Sequence, residues 1–201
     1  MVSLEEVKKL KELTGVGLTD AKKALEEANG DFDKALDAMR KKGMTKAEKR
    51  GEREAREGII DAYVHSGRIG VLVELNCETD FVAKTDEFKT LAHDLALQIA
   101  AMSPKWIANA DIPESEIARK EEELLAAAKV DPKNAKKPAD VLEKIIQGQM
   151  DKYFDELVLM NQVYWKDGET KVSDLVKNVA AKLGENLVVR QFKRIELGVT
   201  E

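Results

Sequence analysis

The hydrophobic pattern of this chain changes period, and that change constrains the fold more than any other feature. Over most of the sequence apolar residues recur every three or four positions. At Ile69, Val71, Val73 and Leu75 they fall on every second position instead, the repeat of a strand with one buried face. The run before it, Gly58 to His65, is rich in Ile, Tyr and Val, and Ser66-Gly67 between the two is a turn signal. These two runs predict a β-hairpin. Leu187 to Leu197 is β-branched and aromatic enough for a third strand.

The first forty residues are helical in pattern. Leu4, Val7, Leu10 and Leu13 keep helical spacing, and Gly15-Val16-Gly17 breaks it. Thr19 is expected to cap a second helix carrying Ala21, Ala24, Leu25 and Ala28, ended by Asn29-Gly30. Asp31 is expected to cap a third, with Phe32, Ala35, Leu36 and Met39 on one face and Gly43 closing it. Residues 1–43 therefore read as a small three-helix head. So short a module buries too little surface to stand firmly alone, which predicts a larger body beside it. Residues 44–57 form the connection. Thr45 to Glu48 has capping-box spacing, and Lys46, Lys49, Arg50, Arg53 and Arg56 follow with almost no large apolar residue. This predicts a solvated basic helical linker, a shape compatible with docking on an acidic partner.

The body, residues 58–201, continues from the hairpin into helices. One is expected from Asp86 to Met102 with Phe88, Leu91, Leu95, Ile99 and Met102 on one face. Pro113 starts another through Leu124 and Leu125, and Pro132 interrupts it. Pro138 fits as the first residue of a helix reaching about Val158, with Val141, Leu142 and Ile145 inward. Asp167-Gly168 is a turn, and Val172, Leu175, Val176, Val179 and Leu183 make the last helix, stopped by Gly184. A hairpin, then helices, then a returning strand predict an α+β body: a three-stranded antiparallel sheet with helices packed on one face.

Composition excludes several function classes. Net charge is -5, against the basic balance of a free nucleic-acid binder, and the basic linker lacks the aromatic residues that stack on bases. No window approaches the ~18 continuous apolar residues of a membrane span, and the start Met1-Val2-Ser3-Leu4-Glu5 does not read as a signal peptide. These features predict a cytoplasmic protein. The lone Cys77 excludes an internal disulfide framework and a cysteine-based zinc site. Acidic residues do not cluster at metal-ligand spacing, and Gly15-Val16-Gly17 lacks the strand before it and the Lys-Ser/Thr after it that a phosphate loop needs. No metal and no cofactor are expected. Cys77 with His65 or His93 would make a cysteine hydrolase in principle, but nothing local pairs either histidine with a nucleophile. A non-catalytic protein is expected.

One segment stands apart: Asn76-Cys77-Glu78-Thr79-Asp80-Phe81-Val82-Ala83-Lys84, between the second strand and the helix at Asp86. It sets a large aromatic and two aliphatic residues among polar ones. Two readings are open. Phe81 and Val82 plug the underside of the sheet, or Phe81 projects beside an acid as an interaction anchor.

This segment, taken with Thr14-Gly15-Val16-Gly17-Leu18-Thr19-Asp20-Ala21-Lys22-Lys23-Ala24-Leu25-Glu26-Glu27-Ala28-Asn29-Gly30-Asp31, resembles the elongation factor Ts family over essentially the full chain. It is similar to the short form of that family, which has a single core unit. The resemblance implies a ubiquitin-associated-like three-helix head, a linker and an α+β core. It implies a guanine-nucleotide exchange factor that binds elongation factor Tu, dislocates Mg²⁺ and releases GDP. Thr79, Asp80, Phe81 and Val82 would enter beside the nucleotide site, and Leu18, Lys22 and Lys23 would dock the head. The family's head often has two Met where Leu18-Thr19 stand. A short relative joins two subunits through a cysteine in the last strand, where this chain has Gln191-Phe192-Lys193-Arg194, so a homodimer here would be non-covalent. An adaptor with a ubiquitin-associated-like head and an unrelated body is the competing reading. The head alone allows it; the second signature speaks against it.

Overall fold

The computed structural model describes residues 3–14 (backbone alone at 12–14), 18–38, 51, 53–130 and 137–199. Two short helices, α1 (Leu4–Thr14) and α2 (Leu18–Glu27), open the chain, and residues 32–38 form α3. Ser3 caps α1 through a reciprocal pair: Glu6 N donates to Ser3 Oγ and Ser3 N to Glu6 Oε2, both at 3.1 Å. Asp31 caps α3, its Oδ1 accepting from Lys34 N at 3.1 Å. Asn29 and Gly30 both take positive φ, 53° and 82°, and end α2 as expected. Thr19 does not cap it, because α2 already begins at Leu18 and Thr19 lies inside the first turn. Val7 and Leu10 pack on Ala21, Ala24, Leu25 and Ala35 in a small separate core, with Ala28, Phe32 and Leu36 partly buried against it. Met39, Gly43, the Thr45–Glu48 box and most of the linker lie outside the described residues. The linker's end is not helical: Arg53 to Arg56 have no helical backbone, and a strand begins at Glu57.

The body is built on a three-stranded antiparallel sheet of β1 (Glu57–His65), β2 (Ile69–Cys77) and β3 (Val188–Glu196), in that order. Ser66 and Gly67 turn the hairpin with φ of 50° and 68°, the mirror-image turn that matches strand twist. Gly58 is a different case. Its φ is 150°, and an added Cβ would stand 2.1 Å from the Leu75 carbonyl oxygen. Only glycine lets β1 lie this close to the end of β2. A β-bulge shifts the register of β2 on β3 between Glu74 and Leu75.

Helix α5 (Asp86–Met102) covers one face of the sheet. Phe88, Leu91, Leu95 and Ile99 are buried against Val71, Val73, Leu75 and Val189, each worth about 1.5–3 kcal/mol in water excluded. Met102, expected on that face, is the last residue of the helix and is 47% exposed. Helix α8 (Val172–Leu183) adds Val172, Val176, Val179 and Ala180 to the same core and stops at Gly184, φ 78°.

Between them, α6 (Glu114–Val130) and α7 (Ala139–Leu157) form a helical hairpin. Pro138 precedes α7 in extended backbone rather than opening it. The inward face of α7 is Ile146, Met150 and Phe154, and Val141 is exposed. The expected stripe was one residue out of phase over Ile145. From Leu159 the chain returns along α5, where buried Asp94 accepts from Tyr164 Oη at 2.6 Å and Lys166 Nζ at 2.8 Å.

Candidate functional site

At the end of β2 the chain leaves the sheet and makes a single helical turn, α4 (Asp80–Ala83), before α5. The stretch is helical where a loop is expected from the sequence. Two threonines organise it. Thr79 takes extended backbone and caps α4, its Oγ1 accepting from Val82 N at 3.5 Å. Thr85 does the same for α5, accepting from Phe88 N at 3.3 Å and donating to Val82 O at 2.8 Å. Lys84 and Thr85 alone separate the two helices.

The four residues singled out in this turn part company. Val82 is half-buried and packs on the main core, and Ala83 behind it is buried. Phe81 is 79% exposed. The plug reading therefore holds for Val82 and fails for Phe81: a helical turn cannot point consecutive side chains the same way. Asp80 is exposed and pairs with Lys84 at 2.6 Å. That hydrogen bond holds the Asp80 carboxyl below the ordinary carboxylate range and raises the Lys84 ammonium.

The residue that fixes this turn lies far away in sequence. Glu185, just after the Gly184 stop, accepts from Glu78 N and Thr79 N, both at 3.0 Å, and from Thr79 Oγ1 at 2.6 Å. Beside it, Asn186 N donates to Glu78 Oε1 at 2.6 Å. The Asn186 amide donates to the carbonyls of Arg53 at 2.8 Å and Gly51 at 3.2 Å. Arg53 reaches Glu78 at 3.4 Å. Strand β2, the α8–β3 junction and the incoming linker thus meet behind the turn. Neither Glu185 nor Asn186 was anticipated from sequence. Glu185 follows a helix-stopping glycine, where a short polar turn is expected in any protein, and its partners are 106 and 107 residues distant.

Cys77 sits at the base of this arrangement, fully buried, its thiol donating to Thr79 O at 3.1 Å. Burial, then the Glu185 charge, pushes it up to about 11. The histidines are engaged elsewhere: His65 Nδ1 with Tyr63 Oη at 2.9 Å, and His93 Nδ1 with Asp61 Oδ2 at 2.9 Å. A protonated buried thiol without an imidazole beside it is ill suited to nucleophilic attack. Among the described residues no group of three or more His, Cys, Asp or Glu is placed to hold a metal ion. No helix of the described residues is long and apolar enough to cross a membrane.

In the head, Leu18, Lys22 and Lys23 are exposed on α2; Leu18 and Lys22 flank the buried face of Ala21, Ala24 and Leu25, and Lys23 lies opposite it. Lys22 lies 3.8 Å from Glu26. Head and turn belong to separate clusters of buried residues.

Comparison with known proteins agrees with these features. The family model described as Elongation factor TS matches residues 5–199. Elongation factor Ts of Thermotoga maritima is 50% identical over 198 residues, 98% of this chain and 96% of that protein. Those of Thermoanaerobacter sp. and Carboxydothermus hydrogenoformans are 50% and 49% identical over 199 residues, covering 98% of this chain and 96% and 90% of theirs. With a match that spans nearly every residue of the chain, both signatures included, the chain belongs to the elongation factor Ts family.

Proposed function

We propose that this chain is the guanine-nucleotide exchange factor of elongation factor Tu in the bacterial cytoplasm. It binds the GDP-bound partner and accelerates GDP release, so that GTP can enter. The observation that carries the proposal is Phe81, an aromatic side chain 79% exposed on a turn anchored at several points from behind. A solitary aromatic held rigidly in water is the form of an interface anchor.

An exchange factor makes and breaks no bonds. It binds the nucleotide-free partner best, and by linkage protein and nucleotide weaken one another by the same factor. In a P-loop GTPase, GDP is held by backbone amides, a lysine and a Mg²⁺ ion that bridges to phosphate. On the proposed reading Phe81 enters between two helices of the partner beside that site. Asp80, kept ionised by Lys84, brings negative charge to the surroundings of the Mg²⁺ ion and dislocates it. Thr79 and Val82 hold the turn, one by its cap and one by its packing. Each 1.4 kcal/mol or so of preference for the nucleotide-free partner is worth about tenfold in affinity. The head, residues 1–43, docks through Leu18, Lys22 and Lys23, and the core, residues 58–201, delivers the turn.

We also propose a non-covalent homodimer. The sheet leaves β3 as an edge, and Ile60, Val64, Leu72 and Ile195 are exposed on the face opposite α5. Sedimentation velocity over a concentration series tests this. The exchange assignment is tested by release of a fluorescent GDP analogue from elongation factor Tu with and without this protein. Acceleration supports it; an unchanged rate overturns it.

A further inference from the structure

Helix α6 runs 17 residues with none of them buried, although it carries Ile117, Leu124, Leu125 and Val130. Its seam with α7 is covered on one side only. There Leu124 and Ala128 join Trp106, Ile112 and Tyr153 around Met150 and Phe154. The other side is an open groove of about 460 Å³. Ile146, Met150 and Phe154 on α7, 7–8% exposed, form its floor, and Ile117 and Leu125 on α6, 38% and 39% exposed, its apolar wall. These residues follow i, i+4, i+8 spacing, with Glu121 between Ile117 and Leu125, so the groove is about two helical turns, ~12 Å, long.

The polar lining has one sign. Glu121, Glu143 and Asp151 stand along the groove with the neutral Gln147, and among the described residues no lysine or arginine lines it. Two of the three cations of α6 are engaged elsewhere, Arg119 with Glu116 at 2.7 Å, and Lys120 with Glu123 at 2.9 Å and the Tyr153 ring at 4.3 Å; the third, Lys129, follows Leu125 by one turn, past the end of the groove lining. The two helices are acidic, with five carboxylates against three cations on α6 and five against two on α7, while the sequence joining them, residues 131–138, has one carboxylate against three lysines.

We propose that this groove is a docking surface for a cationic amphipathic helix of another protein, which completes a three-helix bundle. An apolar floor two turns long fits a helical ridge of aliphatic residues at i, i+4 and i+8. The carboxylates on the walls select lysine or arginine flanking that ridge and reject an acidic helix. The surface is separate from the Phe81 turn and does not depend on the exchange reading.

The test is fluorescence anisotropy of the full chain with three labelled 18-residue peptides: a Leu/Lys amphipathic helix, its Leu/Glu counterpart, and a Ser/Lys peptide of equal charge. Only the Leu/Lys helix is expected to bind saturably. Leu125→Ser, at an already exposed position, and the triple neutralisation Glu121→Gln, Glu143→Gln, Asp151→Asn are each expected to weaken it at least about tenfold, with helicity unchanged. Neutralising Glu122 and Asp155, outside the groove lining, is expected to leave affinity within about twofold. No saturable binding overturns the proposal. Equal binding of the Ser/Lys peptide, or an equal loss from the Glu122 and Asp155 variant, also overturns it, by reducing the effect to bulk charge. So does a self-associated state abolished by Leu125→Ser, which would give the groove to a second copy.

Discussion

Phe81 and Phe88 stand seven residues apart on consecutive helices, and the chain treats them oppositely. Phe88 is fully buried under the sheet, whereas Phe81 is 79% exposed. The difference comes from how each helix is held. Helix α5 has 17 residues and an apolar face that the sheet covers, so packing is its main support, with the Thr85 cap added at its start. Helix α4 has four residues and buries only Ala83 among them. A turn that short has negligible helical stability of its own. It is fixed by polar contacts: the Thr79 cap, the Asp80–Lys84 pair and the carboxylate of Glu185. Apolar packing stabilises an element by hiding its apolar side chains. Polar anchoring leaves them on display, which suits an interaction anchor.

The sharpest way to break this comparison is to shorten both rings. Phe88→Ala is expected to cost about 3–5 kcal/mol, read as a lower denaturant midpoint. Phe81→Ala is expected to stay within about 0.5 kcal/mol of the parent and to slow GDP release from elongation factor Tu by about tenfold or more. Lys23→Ala is expected to slow it less. Parental exchange by Phe81→Ala would remove the anchor role while leaving the family assignment intact.

The polar anchoring is probed at Glu185. Glu185→Ala strands two backbone donors and a hydroxyl near the surface, and a loss of about 1–2 kcal/mol is expected, with slower exchange although Phe81 is untouched. Glu185→Gln keeps an acceptor and is expected to recover most of both. Full exchange activity in Glu185→Ala would show that the turn holds its aim without the clamp.

Two titrations give smaller effects. The Cys77 thiol, ordinarily near 9.0, is raised to about 11 in the fold. An acid with a raised folded value favours the folded state below its unfolded value, so this contribution is intact under pH 9 and fades between 9 and 11. Native Cys77 is expected to resist alkylation across that window; rapid labelling at pH 8 would contradict it. Asp80 runs the other way. Its folded value is lowered, so its contribution is present above the ordinary aspartate range and is lost as pH falls through the folded value. Lys84→Ala is expected to move the Asp80 carboxyl resonance titration upward in carbon-detected NMR.

Much of this fold is legible in the chain because its signals are local. The alternation from Ile69 to Leu75 and the stripe from Phe88 to Ile99 each mark a face directly, and both faces meet as expected. Val141 and Ile145 failed as core positions because α7 is apolar around more than one face, so a partner helix chooses the buried one. The same ambiguity governed the turn. Apolar residues one after another carry no period, so the letters left both burial and display of Phe81 open, burial being the commoner fate of such a residue. Ser3 with Glu6 has the spacing of a capping box, a local signal that the structure bears out. Glu185 was not readable, since an acceptor's function depends on which donors the finished fold brings to it.

The Glu185 and Asn186 clamp also has a consequence for the order of synthesis. Its bonds to Glu78 and Thr79 join residues 106 to 108 positions apart along the chain, and those to Arg53 and Gly51 join residues 133 and 135 apart. A ribosome makes Phe81 long before it makes Glu185, and closing so wide a loop belongs to the late stages of folding. A growing chain therefore carries the aromatic side chain with no fixed direction. The turn gains its fixed direction only once the α8–β3 junction has been made.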